Sequence, residues 1–581
     1  MTEINLENIL DEKEIKIFEN NKFLKRITIN LFKQILHVDE INSFLIGKED
    51  ICGIEFIDEI FEYLNFTFNI SSSDILKIPA EGRLIVTANH PIGSLDSLAL
   101  IKAISLIRHD IKIVANDILS AIDNIAEFLL PIDLENSSFK RDRLLAISQA
   151  LEAEKVVIIF PAGEVSRLKG MTIKDSKWNK SPIFLSNKFS APILPVFIRA
   201  KNSIPFHILS QVNKRLSIVL LAHELFNKKN KSLEIVIGNP IPSKTFYSNI
   251  RDSVYIKLLK KHVDKIGKNK AGLFATEKNI IHPVDCRLVI MELRNAKKLM
   301  QTKDNKLIYI VDYHKSPNVM KEISRLREIT FRKVGEGTGN KKDLDKFDKY
   351  YSHLLIWDDY TLEIVGSYRI GFGKVILEEQ GINGFYSSTL FNFSENFIKN
   401  VLPYSIELGR SFVRPKYWNS NALDYLWQGI GAIIAEATEL KYLFGPVSIS
   451  EEFTNEAISL MLTYLNKWYK PVNEIVSARN PFISNTENTE SLYSLFTSDV
   501  RRSDYNILNI KLKEMNFKYP VLFKHYAEIA EDDGVDFLAF NLDSNFSNCV
   551  DGLIKIKIEI ERIKEHKKER YIYPHKNKEL V

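Results

Sequence analysis

Apolar positions change period along the chain. From Leu6 to Leu64 they recur at helical spacing; in FLKRITINLFKQIL, Phe23, Ile27, Leu31 and Ile35 share a face. From Arg83 the pattern becomes short apolar runs between helical stretches: RLIVTAN, LALIKAISLI, IKIVAN, RLLAISQALEAE, KVVIIFPAG, APILPVFIRA and LEIVIGNPI. Strands that are apolar throughout are buried on both faces, so this region predicts an α/β layer structure with a largely buried sheet. A second alternation begins near Val284, with KLIYIVDYH, VMKEISRLREITFRKVG, HLLIWDD, EIVGSYRIGFG and YSIELGRSFV, and predicts a second α/β domain with a mixed sheet. The last 80 or so residues read as helical and basic. No fixed-period repeat is evident. The resulting division is 1–250, a basic linker helix over 251–279, and 280–581, with a helical N-terminal extension on the first domain and a helical tail on the second.

Composition narrows this picture without redirecting it. At 581 residues the chain exceeds what one hydrophobic core usually supports, and 45% hydrophobic with 26% charged residues is ordinary for folded domains. A net charge of +5, from 79 basic and 74 acidic residues, argues against a nucleic-acid binder and fits weak attraction to anionic lipid or an acidic carrier protein. Cys52, Cys286 and Cys549 lie far apart, and no Cys/His cluster predicts a metal or a disulfide framework; a reducing cytoplasm is the expected compartment. The acidic, interrupted start lacks the form of a signal peptide, and no window approaches the roughly 18 apolar residues of a spanning helix. Membrane contact is therefore expected to be peripheral. Within YIKLLKKHVDKIGKNKAGLF the lysines form either a solvated face or a membrane- or carrier-docking patch.

The first candidate site lies in TANHPIGSLDSLAL. Leu84 to Thr87 predict a strand, Pro91 and Gly93 a turn, and Ser94 a helix cap before Leu95 and Leu98. His90 and Asp96 would be rotated about 240° apart on one helix, so His90 belongs in the loop with the chain folding back. A carboxylate on one ring nitrogen fixes the tautomer and leaves the other to take a proton from an attacking hydroxyl, while the helix N-terminus would keep Asp96 ionised. A capped turn with no chemistry is the plainer alternative. Downstream, KVVIIFPAGEVSRLKG ends an apolar strand in Phe160, Pro161, Ala162, Gly163 and Glu164, and SAPILPVFIRA supplies another strand.

This ordered set resembles the glycerolipid acyltransferase family. The resemblance implies that His90 is the catalytic histidine and Asp96 its orienting partner. Asn116, in the second block, and Phe160, Pro161, Gly163 and Glu164 would line the acceptor site. It implies no metal and no covalent enzyme intermediate: His90 would deprotonate a hydroxyl that attacks an acyl thioester. Two departures stand out. The spacing from His90 to Asp96 is one residue longer than usual, as in a hemolysin-like subgroup. Ala162 and Val165 replace the Glu and Arg of the third block, with Glu164 and Arg167 displaced. A phosphate monoester needs cationic, fork-like donors at fixed positions, so the acceptor is expected to be a hydroxyl on something other than glycerol phosphate.

In the second domain SRLREITFRKVGEG sets Arg327 and Phe331 one helical turn apart, followed by Asp345, Asp348 and Arg369. Alone, such an Arg-x-x-x-Phe is more ordinary as a surface arginine over a core aromatic; in combination Arg327 and Phe331 become candidate substrate-binding residues, with Arg369 and Arg410. SIELGRSFV carries Glu407 and Arg410, which strand alternation would put on opposite faces, so a bulge or strand end is needed if they act together. The combination resembles the acyl-ACP-dependent N-acyltransferases related to acyl-homoserine-lactone synthases, with a GNAT-like fold; IELGRSFV, LWQGI and YLFGPVSIS look like the ornithine N-acyltransferases among them. QGIGAI only approximates the turn that holds pyrophosphate in CoA-using relatives, which fits a carrier-protein donor. N-acylation needs a neutral amine; Glu407 is the candidate base, and Arg369 or Arg410 the candidate clamp for an amino acid's carboxylate.

Together the resemblances imply a bifunctional aminolipid synthase. The second domain would amide-link a 3-hydroxyacyl chain to ornithine, and the first would esterify the hydroxyl of that lyso-lipid. Acyl carrier protein, through its phosphopantetheine arm, would be donor and partner, with no further cofactor. The enzyme would sit peripherally on the cytoplasmic face of the membrane. The alternatives are the same chemistry on glycine or another amino acid, one half serving only for docking, or a lysophospholipid acyltransferase with a non-catalytic second half.

Overall fold

The computed structural model describes residues 37–114, 122–130, 139–169, 172–212, 221, 223–247, 250–437, 439–471, 473, 475–483, 492–531, 533–544, 548–559 and 562–576. Asn116 lies outside them, as does all of the N-terminal extension before His37. The chain forms two compact units, Met1–His282 and Pro283–Val581. Both are α/β. Among the described residues no helix is long and apolar enough to cross a membrane.

The first unit holds β1 (Thr67–Ile70), β2 (Leu84–Ala88), β3 (Ile111–Val114), β4 (Leu129–Leu130), β5 (Val156–Ile159), a small hairpin β6 (Arg167–Lys169) with β7 (Thr172–Lys174), β8 (Ile193–Arg199) and β9 (Ser232–Ile237). Seven form one sheet in the order β1-β9-β8-β2-β5-β3-β4, parallel except where β8 meets β9. The central strands β2 and β5 are buried along their whole length, as unbroken apolar runs require. Helices cover both faces, so two cores sandwich the sheet: Val86, Leu98 and Ile158 lie in one, Ile85, Val157 and Leu259 in the other.

The helix Asp252–Ile266 belongs to that second core through Tyr255, Ile256, Leu259 and Val263. The stretch 251–279 is therefore part of the first unit and not a free linker. Its apolar stripe outweighs its lysines, because a buried helical face decides where an amphipathic helix sits.

The second unit contains β10 (Lys297–Gln301), β11 (Leu307–Asp312), β12 (Ser352–Asp358), β13 (Glu363–Phe372), β14 (Phe391–Phe393), β15 (Ser405–Val413), β16 (Tyr442–Ile449), β17 (Val476–Ala478), β18 (Val535–Asp543) and β19 (Cys549–Lys557). Eight make a mixed sheet in the order β10-β11-β12-β13-β15-β16-β19-β18, with β14 and β17 pairing separately. All its steps are antiparallel except β15 to β16. The tail is helical at Arg501–Glu514 and Glu565–Tyr571, but between them lies the hairpin β18–β19, which the helical reading missed. β19 is buried on both faces over nearly its whole length, so it shows no apolar–polar alternation in the sequence.

Candidate functional site

In the first unit the buried strand β2 delivers the chain to Asn89, whose side chain is fixed by bonds with the backbone of Ile198 on β8 (Nδ2 to O 2.9 Å; N to Oδ1 2.7 Å). His90 follows in the turn, and the helix Ser94–Ser105 begins four residues later. Its cap is Gly93 and not Ser94: at φ 102° the backbone is in a region that side chains rarely adopt. Asp96, fully buried in the first helical turn, accepts hydrogen bonds from the backbone N–H of Ile92 (2.8 Å) and Gly93 (3.1 Å) through Oδ2. The same oxygen lies 3.2 Å from His90 Nδ1. That is ion-pair distance, but the ring nitrogen is not aligned as a hydrogen bond. The helix N-terminus does not dominate Asp96 as expected. Burial raises its pKa, opposed by His90 and the two backbone N–H groups.

The FPAGE segment folds back over this pair. The Phe160 ring stacks on the His90 ring at 4.2 Å, and Ser166 N–H donates to the His90 carbonyl (2.7 Å). Gly163 sits at φ 68°, and the Pro161 carbonyl accepts from Asn179 N and Nδ2 (2.9 and 2.8 Å). The structure thus brings Phe160, Pro161, Gly163 and Glu164 to the turn that carries His90. Arg167, the displaced arginine, is tied to Glu164 (Nε to Oε2 3.2 Å), and Val165 is buried. Asp175 reinforces the turn, accepting from the Ser166 hydroxyl, from Trp178 Nε1 (2.8 Å) and from His90 N–H (3.4 Å). Sequence reasoning missed Asp175 because the residue it serves, His90, lies 85 positions away in the chain.

The second unit carries a buried ionic layer between its sheet and the helix Pro317–Lys333. Arg327, a substrate-binding candidate whose plainer alternative is a surface arginine, has no exposure; its guanidinium donates to Asp348 (2.7 Å) and contacts His353 Nδ1 at 3.0 Å, while Phe331, the other candidate, packs in the adjacent core. Two arginines hold the Asp348 carboxyl far below the usual carboxylate range, and burial pushes His353 down to about 3. Arg369 on β13 donates Nη1 to both oxygens of Asp345 (2.7 Å each), and its guanidinium lies over the rings of Tyr351 and Tyr386. Its Nε and Nη2 have no hydrogen-bond partner among the described residues.

Glu407 and Arg410 converge on one residue, Tyr386, by the device their spacing required. Between the pairs Arg369↔Gly409 and Ser367↔Phe412, two residues of β15 oppose one of β13, a bulge with Arg410 at φ 46°. The bulge turns Arg410 onto the Glu407 side, where it lies over the Tyr386 ring and 3.3 Å from Asp343. Glu407 is buried and saturated. Oε1 accepts from Ser387 N (2.7 Å) and Oγ, and Oε2 from Tyr386 N (3.2 Å) and the Tyr351 hydroxyl. Burial raises its pKa.

The parallel pairing of β15 with β16 stops after Glu407↔Phe444, although both strands continue. They part around a small apolar cleft lined by Leu408, Gly445, Pro446, Tyr526 and Ile554. At Gly445 a Cβ would lie 2.0 Å from the Leu408 carbonyl oxygen. The glycines of QGIGAI have another use: they lie within the helix Ala422–Glu436, where a Cβ on Gly431 would lie 1.9 Å from the Tyr571 carbonyl oxygen, so they serve packing and form no pyrophosphate turn. Among the described residues no group of His, Cys, Asp or Glu is placed to hold a metal ion.

Comparison with known proteins agrees with this two-part geometry. Residues 10–264 match an acyltransferase family and residues 326–428 the acetyltransferase (GNAT) domain family. The chain is thus an acyltransferase with two acyl-transfer domains of different fold. It belongs to the family of bacterial glycine N(alpha)-acyltransferases; it is 35% identical to that of Bacteroides thetaiotaomicron over 305 residues, 50% of this chain and 89% of the relative. A second relative, a lyso-glycine lipid O-acyltransferase of Phocaeicola vulgatus, is 28% identical over 272 residues, 45% of this chain and 95% of the relative. An L-ornithine N(alpha)-acyltransferase of Agrobacterium fabrum is 33% identical over 109 residues, 18% of this chain and 36% of the relative.

Proposed function

We propose that the chain makes a diacylated aminolipid in two steps: N-acylation of glycine by a 3-hydroxyacyl thioester in the second unit, then O-acylation of the new lyso-lipid's hydroxyl in the first. The observation that carries this reading is coverage: one chain matches almost the full length of an N-acylating relative and of an O-acylating one. The chemistry is connected, because the amide product of a 3-hydroxyacyl chain carries the free hydroxyl that a histidine–aspartate pair activates.

In the first unit His90 takes the hydroxyl proton, Asp96 orients the imidazole, and the hydroxyl oxygen attacks the thioester carbon. With Arg167 held by Glu164, the site lacks a spare guanidinium at the displaced position, which supports a non-phosphate acceptor. In the second unit the strands β15 and β16, beyond their last paired rung, offer backbone donors and acceptors to the amide-rich phosphopantetheine arm, beside the apolar side chains of Leu408, Pro446 and Tyr526. The Nε and Nη2 groups of Arg369, buried and without a hydrogen-bond partner among the described residues, are unsatisfied donors that suit the acceptor's carboxylate, with Arg410 nearby. Acyl carrier protein is the donor and partner in this reading, and the enzyme works at the inner face of the membrane, where its two-chain product resides.

Ornithine is the second reading, supported by the 109-residue likeness to an ornithine N(alpha)-acyltransferase. Glycine is preferred because the glycine relative is matched over 89% of its length and the ornithine relative over 36%. The test supplies the purified chain with 3-hydroxyacyl carrier protein and glycine or ornithine, then with a second acyl donor, and follows products by mass spectrometry. The expected result is N-acylglycine followed by its O-acyl ester; amide from ornithine alone would select the second reading, and amide from neither would overturn both.

A further inference from the structure

N-acylation in the second unit needs a base, and Glu407 has no lone pair to give. Four donors occupy its two oxygens, and each lies inside the unit. A carboxylate in that state positions Tyr386, Ser387 and Tyr351; proton transfer would require dismantling the bonds that hold it.

Glu336 stands differently. It lies in the loop that follows the helix Pro317–Lys333 and is part-exposed. The loop is pinned at both ends: Glu336 N–H donates to the Phe331 carbonyl (2.8 Å), Ser450 Oγ to the Val334 carbonyl (2.9 Å), and Thr338 Oγ1 to Glu328 (2.6 Å). Its carboxyl is hydrogen-bonded by Ser448 of β16 and faces Arg410 of β15, so it lies across the two strands beyond their last paired rung. Around it stand Glu452, and Cys549 and Asp551 of the β18–β19 hairpin, with Asp543 beside those two. Asp551 is the register partner of Ser448.

Resting on the reading that this site acylates an amine, we propose that Glu336 is its general base. The acceptor ammonium gives one proton to Glu336, and the freed nitrogen attacks the thioester carbon. As the adduct collapses the C–S bond breaks, the nitrogen's second proton passes to the departing thiolate, and Glu336 releases its proton to water. The products are an amide, a free thiol and one proton. Burial pushes Glu336 up to about 7, against the bond from Ser448 and the charge of Arg410, so carboxylate and acid are both populated near neutrality.

The test measures amide and thiol release by the full chain from about pH 6 to about pH 9, the range that brackets a base poised near neutrality. In the wild type kcat should rise with an inflection near the Glu336 pKa. Glu336→Gln should lower kcat by about 100-fold or more and abolish the inflection, with donor KM little changed. Glu336→Asp should recover part of kcat with a shifted inflection, which a folding defect would not produce. Amide formation by Glu336→Gln with the inflection retained overturns the inference alone; a wild-type chain that forms no amide overturns it together with the reading beneath it.

Discussion

Asp96→Asn isolates the charge of the first site from its geometry. The asparagine carbonyl can still accept from Ile92 and Gly93 N–H, which now meet Oδ2 at 2.8 and 3.1 Å, so the turn and helix start should survive. What disappears is a negative charge 3.2 Å from His90 Nδ1, felt most when the imidazole becomes imidazolium in the transition state. Two unit charges at that distance attract by about 5 kcal/mol at an effective dielectric near 20. The desolvation that raises the Asp96 pKa offsets part of this. A net loss of roughly 3 to 5 kcal/mol corresponds to about 100-fold to 5,000-fold in kcat/KM. The assay follows O-acylation of purified lyso-lipid, with amide formation by the same molecules as internal control and thermal unfolding as the fold control. Lyso-lipid should accumulate while amide formation and unfolding stay near wild type. An Asp96→Asn chain that keeps O-acylation within about threefold of wild type would refute the catalytic pair and restore the capped-turn reading, since such a change is below 1 kcal/mol.

Two further outcomes follow from the geometry. Gly445→Ala sets a methyl against the Leu408 carbonyl, so it should destabilise the second unit by about 1 to 3 kcal/mol and depress amide formation while O-acylation persists; a variant with wild-type melting and N-acylation would show that the close approach of β15 and β16 at Gly445 tolerates a methyl group. His262, with Nδ1 accepting from Leu273 N (2.9 Å) and Phe274 N (3.1 Å), is held neutral, and burial lowers it to about 4. Its folded pKa is depressed below the ordinary value near 6.5, so the stability it contributes is complete above about pH 6.5 and lost as pH falls toward 4. The melting-temperature gap between wild type and His262→Gln should therefore narrow between neutral pH and about pH 4.5; a gap independent of pH would remove the neutral-histidine account.

Periodicity and local chemistry determined much of this protein by themselves. Short β-branched runs such as VVII and LIVTA read as buried strands, and a proline–glycine turn before a helix start forces His90 out of the helix and leaves Asp96 in its first turn. The Glu407–Arg410 spacing even stated the need for a bulge. The tertiary structure alone decided the remainder, because it depends on contacts between segments far apart in the chain. Whether Arg327 is a surface or a buried arginine is settled by Asp348 and His353, which no helical spacing reveals. Only assembled partners show that Glu407 is saturated and that Glu336 faces Arg410 and Ser448. Local sequence fixes backbone direction over a few residues; the protonation state and accessibility of a carboxylate are set by everything folded around it.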